Sequence, residues 1–138
     1  MEVLRDGGVF AIYPEGTRSP DGRIHKGHTG VARVALQSSS PVVPVGIIGS
    51  FEAAPKHRKV PRPRPVTVRF GRPIDLGAHA EWEDQRLALR AATDEIMFEI
   101  RELTGYDYVD RYVSRETDVG DSAPVAHLGV PAPEAVVA

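Results

Sequence analysis

The sequence predicts an α/β domain, and three observations predict it. Short apolar runs bounded by Gly and Pro alternate with segments whose apolar residues recur every three or four positions. Hydrophobic residues make up 41% of the chain and charged residues 26%, the balance of a globular domain with a buried core. The length of 138 residues suits one such domain.

Glu2 to Asp6 reads as the end of a helix, and Gly7-Gly8 leads at once into an apolar run. A helix end with no helix before it implies that an N-terminal part of the domain is missing. Val9 to Tyr13 then reads as a buried strand between the Gly-Gly break and Pro14. Residues 14–28 hold Pro14, Gly16, Pro20, Gly22 and Gly27 and read as a loop. Within it, Ser19-Pro20-Asp21-Gly22 is a turn, because Pro presets φ and Gly admits a positive φ.

Thr29 to Ser38 reads as a helix with Val31, Val34 and Ala35 on one face and Thr29 as its cap. Val42 to Ile48 is a second buried strand, with Pro44 marking an edge or a bulge. Pro65 to Gly71 alternates Val66, Val68 and Phe70 with Thr67 and Arg69, a third strand with one wet face. Between Trp82 and Thr104, Leu89, Ala92, Ile96, Ile100 and Leu103 keep helical spacing. Glu81, Glu83 and Asp84 favour its positive end, and Gly105 stops it. A short helical turn is expected to about Val113. Residues 114–138 show no period and read as a disordered tail.

Composition excludes several classes. With no Cys there is no disulfide framework, thiol nucleophile or Cys-based zinc site, which fits a reducing compartment. The longest apolar run is far short of the ~20 residues that span a bilayer. No basic patch and apolar stretch follow Met1, so no secretory signal is expected.

The net charge of −2 conceals an asymmetry: residues 1–74 carry twelve basic and five acidic side chains, and residues 75–138 carry five and fourteen. Lys56, Arg58, Lys59, Arg62, Arg64, Arg69 and Arg72 form a basic stretch with no acid between Glu52 and Asp75. Such a stretch favours anionic partners or is a solvated loop. No aromatic is interleaved from Lys56 to Arg69 and three prolines alternate with the charges, so a nucleic-acid partner is not expected.

The chemistry concentrates in Tyr13-Pro14-Glu15-Gly16-Thr17-Arg18-Ser19. One turn carries a carboxylate, a guanidinium, two hydroxyls and a Gly that admits close approach. Arg suits bidentate phosphate binding. Lys26-Gly27-His28-Thr29 then leads into a helix start, whose free N–H groups favour an anion. The residues read as a phosphate-ester pocket of Arg18, Lys26 and a helix N-terminus. The plain alternative is a turn held by a Glu15–Arg18 pair.

The block from Tyr13 to Ser19 resembles the signature block of the glycerolipid acyltransferases, typified by the lysophosphatidate acyltransferases, with Tyr13 where Phe is usual. Lys26-Gly27 and Val43-Pro44-Val45-Gly46-Ile47 are similar to further family blocks, in the same order. The resemblance covers about residues 1–113. It implies the C-terminal portion of such a domain, with a mixed sheet flanked by helices. It also implies an enzyme that moves an acyl group from a coenzyme A or acyl carrier protein thioester to a lysophosphatidate or related lysolipid hydroxyl. Glu15, Gly16, Thr17, Arg18 and Lys26 match the substrate-binding positions, and Val43 to Ile47 either lines the acyl side or is a core strand.

No metal is implied, and no cofactor beyond the thioester co-substrate. The family works at membranes, so a cytoplasmic protein is expected, peripheral at the inner face of the cell membrane through residues 56–72. The family's catalytic Asn-His-x4-Asp block precedes the Pro-Glu-Gly block, and the 13 residues before that block here hold no His. The catalytic residue is therefore unknown and the chain alone is expected to be inactive. The alternative is a non-catalytic phosphate-binding or membrane-surface module. His79 and Asp84 repeat the His-x4-Asp spacing, but they follow the block, lack the Asn and straddle a helix start. His25 and His28 flank the pocket; His57 and His127 carry no signal.

Overall fold

The computed structural model describes residues 2–55 and 60–113. The expected tail, His57, His127 and the basic residues Lys56, Arg58 and Lys59 lie outside them. In chain order the elements are α1 (Glu2–Arg5), β1 (Ile24–His25), α2 (Gly30–Ser38), β2 (Val45–Ile48), α3 (Ser50–Ala53), β3 (Thr67–Phe70), α4 (Gly77–Ala80), α5 (Gln85–Thr104) and β4 (Tyr108–Val109). The strands form two two-stranded sheets, with β1 parallel to β4 and β2 antiparallel to β3. A parallel and an antiparallel pairing are both present, and α5 packs against the β2–β3 sheet.

α5 organises the domain. Asp84 caps it, its Oδ1 accepting from the N–H of Arg86 at 2.8 Å and of Leu87 at 3.1 Å. Two orphan donors of the first turn are thereby satisfied. Gly105 ends it at φ 71°, donating its N–H to the Arg101 carbonyl. The apolar stripe of α5 packs on α2. Ala92 and Ile96 join Val31, Ala32, Ala35 and Leu76 in the core, flanked by Leu36, Val42, Ile74, Leu89 and Ile100. Ala32 and Ala92 are wholly buried, and their small side chains suit a close helix crossing.

Thr29 stands at the start of α2 but does not cap it with its hydroxyl, because its φ −71° and ψ 2° are not the extended geometry a side-chain cap needs.

The strand expected over Val42–Ile48 is shorter, since Pro44 has no N–H to add to a ladder. Pro44 is buried, and its carbonyl accepts from Gly71 N–H at 2.8 Å. Val42 instead pairs with Ile74 in an isolated bridge. Gly46 lies against α5 with no space for a side chain, since a Cβ there would stand 2.9 Å from Leu103 and Thr104. Its partner Arg69 donates to the Leu103 carbonyl at 3.0 Å. Val68 and Phe70 therefore face away from α5. The expected single wet face of this strand is corrected: all of β3 is exposed, Phe70 by 74%.

Three further expectations change. Val9 to Tyr13 is not a buried strand, for Val9 is 79% and Tyr13 75% exposed and no ladder partner is present among the described residues. An apolar run becomes a strand only where a neighbour takes its backbone groups. The loop 14–28 contains a strand, because Ile24 N–H donates to Asp107 and Lys26 N–H to Arg111. The same pairing turns the helical turn expected near Val113 into β4.

Candidate functional site

The Pro14–Ser19 turn folds by local rules. Gly16 donates its N–H to the Tyr13 carbonyl and adopts φ 70°, which a side chain would strain. Next to it, Ser19 Oγ accepts from Gly22 N–H at 2.9 Å, Gly22 takes φ 81°, and Asp21 grips the Arg23 guanidinium at 2.6 Å. That is the expected Ser19–Gly22 turn.

Two hydrogen bonds from backbone N–H groups, one to a side chain and one to a carbonyl, fasten the turn to the rest of the molecule. Glu15 Oε2 accepts from His25 N–H at 2.9 Å, joining the turn to β1. Pro14 carbonyl accepts from His28 N–H at 2.8 Å, joining it to the residues that lead into α2. Burial pushes the Glu15 carboxyl above the usual carboxylate range, against the pull of the His25 N–H.

Glu15 is thus engaged with β1, and the alternative of a turn closed by a Glu15–Arg18 pair is corrected. Arg18 is exposed and makes no hydrogen bond or ion pair to another described residue. Thr17 is half-buried beside it. Gly16 lies under the His28 ring, which would be 3.3 Å from a Cβ at that position. Lys26, two residues before His28, has its Nζ bound to Asp110 at 2.8 Å and over the Tyr112 ring. That partner raises the lysine's pKa.

Beneath the turn, His25 is buried, with Nε2 2.9 Å from Asp21 Oδ1 and Nδ1 without a partner among the described residues. Burial would raise Asp21, but hydrogen bonds from His25 and Arg23 outweigh it and hold its carboxyl below the usual carboxylate range. A carboxylate depressed in the fold adds stability that is present above its unfolded value of ~3.9 and lost as pH falls. Asp21→Asn should therefore destabilise the chain by about 1 kcal/mol at pH 6, the usual charged hydrogen-bond value cut by partial exposure. Urea titrations from pH 6 to 2.5 should show that gap closing toward acid. A gap of constant size would remove the carboxylate from the account.

Several residues at the site carry no mark in the sequence. Tyr112 stacks on His28 with ring centres 4.8 Å apart. Arg90, from α5, donates to the Gly27 carbonyl at 2.8 Å and to Tyr112 Oη at 3.2 Å. Asp110 neutralises Lys26. Only the helical phase of Arg90, three and seven residues before the buried Thr93 and Met97, hints at its inward aim. A cavity of about 490 Å³, lined by Phe51, Pro55, Pro65, Arg62 and Arg64 among others, adjoins the turn through Phe51, whose ring contacts Gly22. His79 and Asp84 form no pair: Asp84 caps α5, and His79 in α4 faces Glu95 and Trp82. Among the described residues no group of His, Asp and Glu could hold a metal, and no helix is long and apolar enough to cross a membrane.

A family model, Acyltransferase, matches residues 1–48, the segment holding this turn, α2 and β2. The 1-acyl-sn-glycerol-3-phosphate acyltransferase of Cocos nucifera is 37% identical over 85 residues, 62% of this chain and 27% of the relative. That of Limnanthes alba is 42% identical over 64 residues, 46% of this chain and 23% of the relative. The crystal structure of the 1-acyl-sn-glycerophosphate (LPA) acyltransferase PlsC from Thermotoga maritima superposes with a TM-score of 0.58 at 28% identity, over 74% of this chain and 41% of that one. The chain is thus similar to 1-acyl-sn-glycerol-3-phosphate acyltransferases in sequence and in backbone, and its first 48 residues match the acyltransferase family model. It spans about a quarter of the length of these curated relatives. The acyltransferase resemblance seen in the Pro-Glu-Gly-Thr-Arg-Ser block therefore extends to the backbone.

Proposed function

We propose that this domain serves an acyltransferase of phospholipid synthesis, binding the phosphate of a lysophosphatidate on the Pro14–Ser19 turn. The observation that carries the reading is the division of labour in that turn. Glu15 is engaged with the His25 N–H, and Arg18 is left exposed with no partner among the described residues. A guanidinium on a fixed turn, without a partner among the described residues, offers two parallel donors to phosphate oxygens. Gly16 and Thr17 border it and would admit the head group. Lys26 adds positive field beside His28, although Asp110 holds its Nζ.

In the reaction that the family resemblance implies, the lysolipid hydroxyl oxygen attacks the carbonyl of an acyl thioester. A general base takes the hydroxyl proton, and the thiolate of coenzyme A or acyl carrier protein leaves. The apolar cavity beside Phe51, rimmed by Arg62 and Arg64, suits the acyl chain and anionic flank of such substrates. Exposed Arg62, Arg64 and Arg72 support peripheral contact with an anionic inner membrane face, each adding about 1 kcal/mol in a salt-dependent way.

The test is calorimetric titration of glycerol 3-phosphate into the 138-residue chain. Loss of a charged hydrogen-bond donor costs roughly 1.5–3 kcal/mol, so Arg18→Ala should weaken binding about ten- to a hundredfold. Arg18→Lys should recover part of it. Arg62→Ala should leave soluble head-group binding unchanged and weaken adsorption to anionic vesicles. If Arg18→Ala binds glycerol 3-phosphate as well as the parent while Arg62→Ala does not, the phosphate site lies on the basic stretch.

A further inference from the structure

The two halves of the phosphate-binding turn meet at one peptide group. The Gly27–His28 peptide donates its N–H to the Pro14 carbonyl at 2.8 Å, and its own carbonyl accepts from Arg90 Nη1 at 2.8 Å. It is held from both ends. There is no slack on its helix side, since a Cβ on Gly27 would stand 2.8 Å from Met97 Sδ and 3.2 Å from Thr93 on α5.

Arg90 is itself rigidly placed. Its Nε and Nη2 bind the two carboxylate oxygens of Asp94, one helical turn on, and Nη1 also reaches Tyr112 Oη. Tyr112 in turn stacks on His28, whose ring covers Gly16. Two routes therefore run from one guanidinium on α5 to the turn that carries Arg18. One passes through the Gly27–His28 peptide to Pro14, the other through Tyr112 and His28 to Gly16.

α5 does not need this arrangement for its own stability, because Asp84, Gly105 and the Ala92–Ile96 stripe already secure it. An exposed i,i+4 ion pair adds little to a helix. The guanidinium has five donors in a fixed plane, and that geometry sets the direction of the Gly27 carbonyl in a way a flexible ammonium cannot.

We infer that Arg90 is a positioning residue for substrate phosphate, fixing the Pro14–Arg18 turn through the Gly27–His28 peptide without touching the ligand. The inference rests on the phosphate-binding reading of that turn. A phosphate oxyanion is gripped well only when its donors are placed beforehand, so a shift of the turn costs affinity even with Arg18 intact.

The experiment combines titration of glycerol 3-phosphate with amide hydrogen exchange on the full 138-residue chain. Arg90→Met should weaken binding about five- to tenfold in the parent and less than about twofold when Arg18 is already Ala, since coupled groups are non-additive. Without any ligand, the same variant should speed exchange of the His28 amide by about tenfold, because the peptide that carries this N–H is no longer held in register with the Pro14 carbonyl. Arg90→Lys, which can reach the Gly27 carbonyl but not fork Asp94, should restore part of both effects and serves alone if Arg90→Met does not fold. Unchanged affinity, an equal loss in both backgrounds, or an unchanged His28 exchange rate would each overturn the inference. If the parent binds no glycerol 3-phosphate, the functional reading fails, and the His28 exchange rate alone decides whether Arg90 sets the turn.

Discussion

Given an acyl-coenzyme A and lysophosphatidate, the 138-residue chain should release free coenzyme A no faster than a protein-free control. The reaction needs a general base on the lysolipid hydroxyl, and such a base contributes ~10²–10⁴-fold in rate. No described histidine is equipped for it. His25 is buried against Asp21, and His79 lies in α4 facing Glu95, away from the turn. Asp84, which has the family's spacing from His79, is committed to two backbone N–H groups of α5. His28 is exposed beside Gly16, but its ring lies stacked on Tyr112 with Lys26 close by, and no carboxylate among the described residues bonds to it. The assay is thiol release, followed against a longer family member as positive control. Robust turnover by this chain would refute the expectation, and abolition of that turnover by His28→Gln would identify the base.

Ile96→Ala should be the most destabilising single truncation in the core. Ile96 is almost wholly buried in the seam between α5 and α2, beside Val31, Ala35 and Leu76. Removing its buried methyl groups loses transfer free energy and leaves a cavity between two packed helices that relaxes only in part, a cost of about 2–5 kcal/mol. The thermal midpoint should fall by at least ~8 °C. Phe98→Ala is the comparison: its ring is 53% exposed on the opposite face of the same helix, so the change should stay within about 0.5 kcal/mol. Equal shifts for the two variants would show that α5 does not pack through the Ala92–Ile96 stripe.

The contrast between these residues also marks what could be read from the chain alone. Where a structure is local, the sequence sufficed. The 3.6-residue period of α5, its Asp84 and Gly105 ends, and the Ser19–Gly22 turn each arise from interactions within a few residues. The Pro14-Glu15-Gly16-Thr17-Arg18 block was legible for the same reason, since its residue types and the positive φ of Gly16 belong to one turn.

Tertiary structure decided whatever depended on distant partners. Two-residue strands such as β1 and β4 have no period of their own and exist only because residues about 84 apart pair their backbones. The apolar run Val9–Tyr13 looked like a strand but lies exposed, since burial is a property of neighbours and not of the run. Glu15 was read as a pocket group or a partner for Arg18, and its choice of the His25 N–H could be seen only once β1 had formed beside it. Arg90 is the furthest case. Nothing in an Arg on a helix announces that its guanidinium will hold the carbonyl of Gly27, 63 residues earlier, because that bond is made by the packing of α5 against Gly27.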